Sequence, residues 1–176
     1  VIIVASAGNE GDAGMGYPGA YAPVISVAAS GWIGEWIMGP WWYAFDDPEP
    51  TNPDYYYIVD FSSREKADQD LDVAAPGSWV VGPYKLNSGN TLSYYFLGGT
   101  SMASPHVAGT VALMAQKYPA LTADEAETIL EGSAIYLAPD CRNVNTPYGT
   151  TAEYCWGVDA TGAGLLDAAA ALAATP

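Results

Sequence analysis

The chain has 176 residues, 50% of them hydrophobic, and sets 20 acidic side chains against only 5 Lys and Arg, for a formal charge of −15. That length suits one domain with a sizeable core. Such a charge repels nucleic acid, and no run of about 18 apolar residues free of Gly, Pro and charge is available to span a membrane.

Val1 to Ala7 is a short apolar run rich in β-branched residues and reads as a central parallel strand buried on both faces. A chain that opens directly on such a strand reads as processed, split or truncated. Gly8-Asn9-Glu10-Gly11 follows as a turn, which puts Asn9 at the carboxyl end of the strand, where functional groups of open α/β sheets gather. Tyr17 to Pro23 is turn-rich and leads into a strand over Val24 to Ala29. Residues 31–57 form an aromatic-rich insertion holding Trp32, Trp36, Trp41, Trp42, Tyr43 and Phe45. It either packs onto the domain as a small hairpin or makes a self-association surface. Its acids Asp46, Asp47, Glu49 and Asp54 match no ligand spacing for a calcium loop.

Ile58 to Ser63 and Leu71 to Gly77 read as two strands joined by a charged loop. Ser78 to Pro83 and Leu92 to Leu97 read as a hairpin turning at Asn87-Ser88-Gly89-Asn90. That hairpin delivers the chain to Gly98-Gly99-Thr100-Ser101-Met102-Ala103-Ser104-Pro105-His106-Val107-Ala108-Gly109. Thr100 is expected to cap a helix whose apolar face is Val107, Ala108, Val111, Ala112 and Ala115, with Pro105 near its start. Ser101 then sits at a loop-to-helix junction beside unpaired N–H groups, a favourable place for an attacking hydroxyl. Thr122 to Glu125 is a capping box for a second helix bearing Ala126, Ile129 and Leu130. Cys141 and Cys155 flank a polar loop; two free thiols compete with a disulfide, which would close about 15 residues and stabilise by roughly 3 kcal/mol. Gly164 to Asp167 then enters an alanine-rich closing helix.

The segment from Gly98 to Gly109 closely resembles the catalytic-serine block of the subtilisin-like serine proteases, the subtilases. Val1 to Gly11, Tyr17 to Ala29 and Asp60 to Gly77 resemble three further blocks in the same order. The resemblance implies an α/β, three-layer fold with a mostly parallel central sheet, incomplete at its N-terminal side, spanning residues 1–176. It also implies peptide-bond hydrolysis at an extracellular or cell-surface location, with Ser101 as nucleophile and Asn9 as oxyanion donor. Ser6, Ala7, Gly8, Glu10 and Gly16 would line the substrate pocket. The Tyr17–Pro18 bond would be cis. Calcium or sodium would bind the carbonyls of Gly19, Tyr21 and Val24 with the carboxylates of Asp70 and Asp72.

A serine nucleophile needs a general base and an orienting carboxylate. His106, the one histidine, lies about 140° around and 7.5 Å along the helix from Ser101 and reads as a packed helix residue. In the family that this chain resembles, the triad runs Asp, His, then Ser along the chain. The resemblance thus implies that His and Asp lie upstream, in an N-terminal part of the same protease that is a separate chain or a missing segment. A non-catalytic structural or filament-forming subunit is the alternative.

Overall fold

The computed structural model describes residues 1–36, 50–85 and 92–176. Expectations for Trp41 to Glu49 and for the turn at Asn87 to Asn90 lie outside these residues.

The organising element is the long strand β2 (Ile25–Trp32), which pairs in parallel with β1 (Val4–Ser6) and β4 (Val73–Pro76) and antiparallel with β3 (Tyr56–Ile58). Val27 is partnered by both Ser6 and Val73, and Ser30 by both Ile58 and Pro76. Thus β1 and β3 follow one another along one edge of β2, and β4 runs along the other. The sheet is mixed, with a parallel core. Residues 25–31 of β2 are all buried, as a strand covered on both faces requires.

The expectation for Val1 to Ala7 needs correction. Only Val4–Ser6 is strand, Val1 is fully exposed, Ile3 is half exposed, and β1 has a single strand partner among the described residues. Apolar composition reports a buried strand only when neighbours cover both faces and both edges, and here β2 supplies one edge.

On one face of the sheet lie α1 (Thr100–Lys117), α2 (Ala123–Ser133) and α3 (Ala168–Ala174), joined to β1, β2 and β4 through a core of Ile25, Val27, Val73, Val107, Met114 and Leu130. The other face packs against loops and the hairpin β7 (Asp140–Asn145) and β8 (Thr151–Trp156), with Tyr57, Ile58, Val144 and Trp156 between them. The stretch around the cysteines is therefore a hairpin, not a loop. Cys141 and Cys155 are directly opposed in its register and form a disulfide.

In α1 the buried positions are Thr100, Ala103, Val107, Thr110, Val111 and Met114, a regular helical stripe. Ala108 and Ala112, expected inside, are exposed. The stripe admits Thr110 because its hydroxyl donates to the His106 carbonyl at 2.9 Å. The predicted capping box on α2 is present: Thr122 Oγ1 accepts from Glu125 N, and Glu125 accepts from Thr122 N. Asp167 caps α3 by accepting from Ala170 N.

The hairpin β5 (Val80–Lys85) and β6 (Leu92–Leu97) forms its own two-stranded sheet. One described end of the aromatic insertion, at Trp36, packs against it. The Trp36 ring lies 5.7 Å from Trp79 and 5.1 Å from Phe96.

Candidate active site

Gly99, not Thr100, occupies the cap of α1, and Thr100 is its first residue, with no solvent exposure. The Thr100 hydroxyl is committed elsewhere. It donates to Asn9 Oδ1 at 3.0 Å and accepts from Gly8 N at 3.2 Å, while Thr100 N also donates to Asn9 Oδ1 at 2.9 Å. A backbone N–H can only donate, so this pair fixes which end of the Asn9 amide is oxygen. The amide nitrogen consequently faces the other way.

Ser101 directly follows Thr100 in the first turn of α1. A methyl group built on Gly99 would stand 3.7 Å from both Asn9 Nδ2 and Ser101 N, so two N–H donors flank one small space that glycine leaves open. Ser101 is exposed, in the first turn of α1, where backbone N–H groups lack intrahelical acceptors and the helix dipole is positive. The arrangement suits a developing negative charge beside a serine hydroxyl. Pro105 is the sixth residue of α1 rather than part of its first turn. Its missing N–H is the one that would otherwise bond the Ser101 carbonyl.

His106 also departs from expectation. It is exposed rather than packed, and its Nδ1 lies 2.9 Å from the Met102 carbonyl.

The residues expected to line a substrate pocket lie close together. Gly16 N donates to the Ala7 carbonyl at 2.8 Å, and Ser63 N donates to the Gly8 carbonyl at 3.0 Å. Gly19 lies so close to Ser6 that a methyl group there would sit 2.5 Å from the Ser6 carbonyl oxygen. Glu10 is tied at both ends: its N–H donates to Ser63 Oγ at 3.1 Å and Oε2 accepts from that hydroxyl at 3.0 Å. The Tyr17–Pro18 peptide is cis.

Asp70 and Asp72 precede β4, and Glu127 of α2 joins them. One carboxylate oxygen from each lies within 4.8 Å of the others. Asp72 is 1% exposed; its Oδ2 accepts from Ser26 N at 2.6 Å and Ser26 Oγ at 2.7 Å, whereas its Oδ1 is buried without a partner. Burial raises the Asp72 carboxyl, and burial followed by Asp72 and Glu131 raises Glu127 to about 6. Of the expected carbonyl ligands, that of Tyr21 accepts from Val24 N at 2.9 Å. Glu127 was not foreseen, although Asp124, Glu127 and Glu131 stand at helical spacing with no base among them.

Also unforeseen is Glu35, buried to 4% exposure between Trp32, Tyr57 and Ser78. A lone acid inside the apolar run Trp32-Ile33-Gly34-Glu35-Trp36 was the available signal.

Comparison with known proteins agrees with this geometry. Residues 1–161 match the model of the Peptidase_S8 subtilase family. The chain is 36% identical to Subtilisin DY of Bacillus licheniformis over 141 residues, covering 78% of this chain and 40% of that protein. It is 34% identical to Thermitase of Thermoactinomyces vulgaris over 116 residues, covering 66% and 31%. A solved protease structure from Pseudoalteromonas arctica matches all of this chain and 43% of its own, at a TM-score of 0.65 and 28% identity. The chain thus spans less than half the length of these relatives. No described helix is long and apolar enough to cross a membrane. With a loop-to-helix serine, an amide donor beside it and this likeness over most of its length, the chain belongs to the subtilase family of serine proteases.

Proposed function

We propose that this chain supplies the nucleophile and oxyanion side of a subtilisin-type serine endopeptidase acting outside the cell. The observation that supports the reading is the double hydrogen bond from Thr100 to Asn9 Oδ1, which puts the amide oxygen on the Thr100 side and leaves Asn9 Nδ2 bordering the space at Gly99. In the reaction, Ser101 Oγ attacks the peptide carbonyl carbon and its proton passes to an imidazole base. That base belongs to polypeptide outside residues 1–176, together with the carboxylate that orients it. The carbonyl oxygen becomes an oxyanion and accepts from Asn9 Nδ2 and Ser101 N. Collapse breaks the C–N bond, the amine leaves with the proton, and water then cleaves the acyl-serine. Ser6, Ala7, Gly8, Glu10 and Gly16 would border the substrate side chain. The Cys141–Cys155 disulfide supports an oxidising, extracellular setting.

A hard cation fits Asp70, Asp72 and Glu127, because the orphaned buried oxygen of Asp72 lies in a cluster that otherwise repels itself. Calcium or sodium there would neutralise the cluster and tie the start of β4 to α2. It would be structural, with no part in bond cleavage.

The test uses the full polypeptide that carries this chain. A fluorophosphonate probe should label Ser101, and Ser101→Ala should abolish both labelling and peptide hydrolysis. Labelling that persists at another residue, or hydrolysis by Ser101→Ala, overturns the reading.

A further inference from the structure

Among the described residues, Glu35 is the one strongly buried carboxylate outside the sites described above. Its Oε1 accepts from Trp32 N at 3.0 Å. Its Oε2, Tyr57 Oη and Ser78 Oγ form a closed triangle, with sides of 3.1 Å from Tyr57 to Glu35, 2.8 Å from Ser78 to Glu35, and 3.0 Å from Tyr57 to Ser78. Gly31 makes the triangle possible, since a side chain there would run into the Tyr57 ring.

Counting protons decides its state. With Glu35 ionised, Tyr57 and Ser78 each donate to Oε2, and their mutual contact pairs two oxygens with no proton between them. With Glu35 protonated, Oε2–H donates to Ser78, Ser78 donates to Tyr57, and Tyr57 donates back to Oε2. Every side of the triangle then holds one hydrogen bond.

Ser78 does not end the chain of contacts. Ser78 N and Gly77 N both donate to the Ser30 carbonyl, at 3.0 and 2.8 Å, and Gly77 O accepts from Gly99 N at 2.8 Å. Gly99 is the residue that caps α1 and borders the space between Asn9 and Ser101. The ring at Glu35 therefore holds the segment on which the nucleophile's turn rests.

We propose that Glu35 is a positioning residue for Ser101: its protonated carboxyl, ringed with Tyr57 and Ser78, seats Gly77 against Gly99, and loss of that proton loosens the seat. Whether this governs peptide hydrolysis rests on the endopeptidase reading; the seat itself does not. Burial raises Glu35 to about 7, which puts the change within the neutral range. The described titratable groups facing it are Tyr57 on β3, Tyr154 on β8 stacked 5.4 Å from the Tyr57 ring, and Tyr56 of β3 and His106 of α1, which line the same 290 Å³ cavity as Glu35 and Ser78. Among the described residues, no Arg or Lys lines that cavity. Burial outweighs the hydrogen bonds from Trp32 N, Ser78 and Tyr57, which by themselves favour the ionised form.

The experiment compares the full polypeptide with Glu35→Gln, which stays uncharged at every pH. Taking ratios between the two proteins cancels every titration they share. The ratio of Gly99 amide-exchange rates, wild type over variant, should stay near unity in acid and rise about five-fold above neutrality, the worth of one lost hydrogen bond. The ratio of Ser101 labelling rates should fall over the same range. In a Ser78→Ala background the same Gly99 ratio, with and without Glu35→Gln, should stay flat with pH, because that change cuts the link between Glu35 and Gly77. A flat Gly99 ratio overturns the proposal, and so does a pH limb that survives in Ser78→Ala. If Ser101 never labels while the Gly99 ratio moves as stated, the seat stands and the endopeptidase reading falls.

Discussion

Asn9 and Thr100, 91 positions apart in the sequence, are locked together by two hydrogen bonds onto a single oxygen. Both donors come from Thr100, so the Asn9 side chain has no rotational freedom without losing both.

That lock makes the Thr100 hydroxyl a positioning group. Thr100→Val keeps the shape but removes a donor to Asn9 and the acceptor of Gly8 N. In the full protease it should lower kcat about ten-fold with KM little changed, while the orphaned Gly8 N–H costs about 1–3 kcal/mol of stability. Thr100→Ser should recover most of the rate. Asn9→Ala should cost more, about 10²–10³ in kcat, a magnitude known for the corresponding subtilisin donor and not obtained from this geometry. Steady-state kinetics on the three variants check the ordering.

The disulfide clips a hairpin that already packs through Trp156 and Tyr154 onto the sheet. Replacing both Cys141 and Cys155 by alanine should reduce unfolding free energy by about 3 kcal/mol, the chain-entropy value for a loop of this length. Urea denaturation reads this directly. The hairpin register should survive, because Arg142 still stacks 5.7 Å from the Trp156 ring and pairs with Asp54 at 3.6 Å.

Glu35 gives stability a pH dependence of opposite sign to that of an ion-paired acid. Its folded value is raised from 4.5 to about 7, so the folded state holds the proton more tightly than the unfolded chain. Its contribution is complete below about 4.5 and is lost as pH climbs to about 7. The full loss is of order 3 kcal/mol at 1.36 kcal/mol per pH unit. Wild type minus Glu35→Gln, followed by chemical denaturation from pH 4 to 8, should show that slope; a flat difference would refute it.

Calcium should raise the melting temperature of the full polypeptide, with about 2.7 kcal/mol gained at a hundred-fold excess over the dissociation constant. Asp72→Asn should remove most of that increment. The exposed Asp124, on the same helix α2, should tolerate the same change with the increment intact. Scanning calorimetry with and without chelator makes the comparison.

What the sequence determined by itself is local. The Thr122–Glu125 capping box, the β5–β6 hairpin and the serine block each lie within a short stretch, and their signals need no distant partner; the cis Tyr17–Pro18 bond was legible only through the family resemblance. Tertiary structure decided the rest. Thr100 carries a capping signature, yet its hydroxyl went to Gly8 and Asn9, which the register of β1 on β2 brings beside α1. Glu35 meets Ser78 across 43 positions because β2 and β4 run in parallel and carry both to the same end. Glu127 reaches Asp72 only through the docking of α2 on the sheet. Periodicity and capping report which face of an element is apolar and where it starts. Which polar group meets which depends on sheet register and helix docking, and these are set by burial across the whole core.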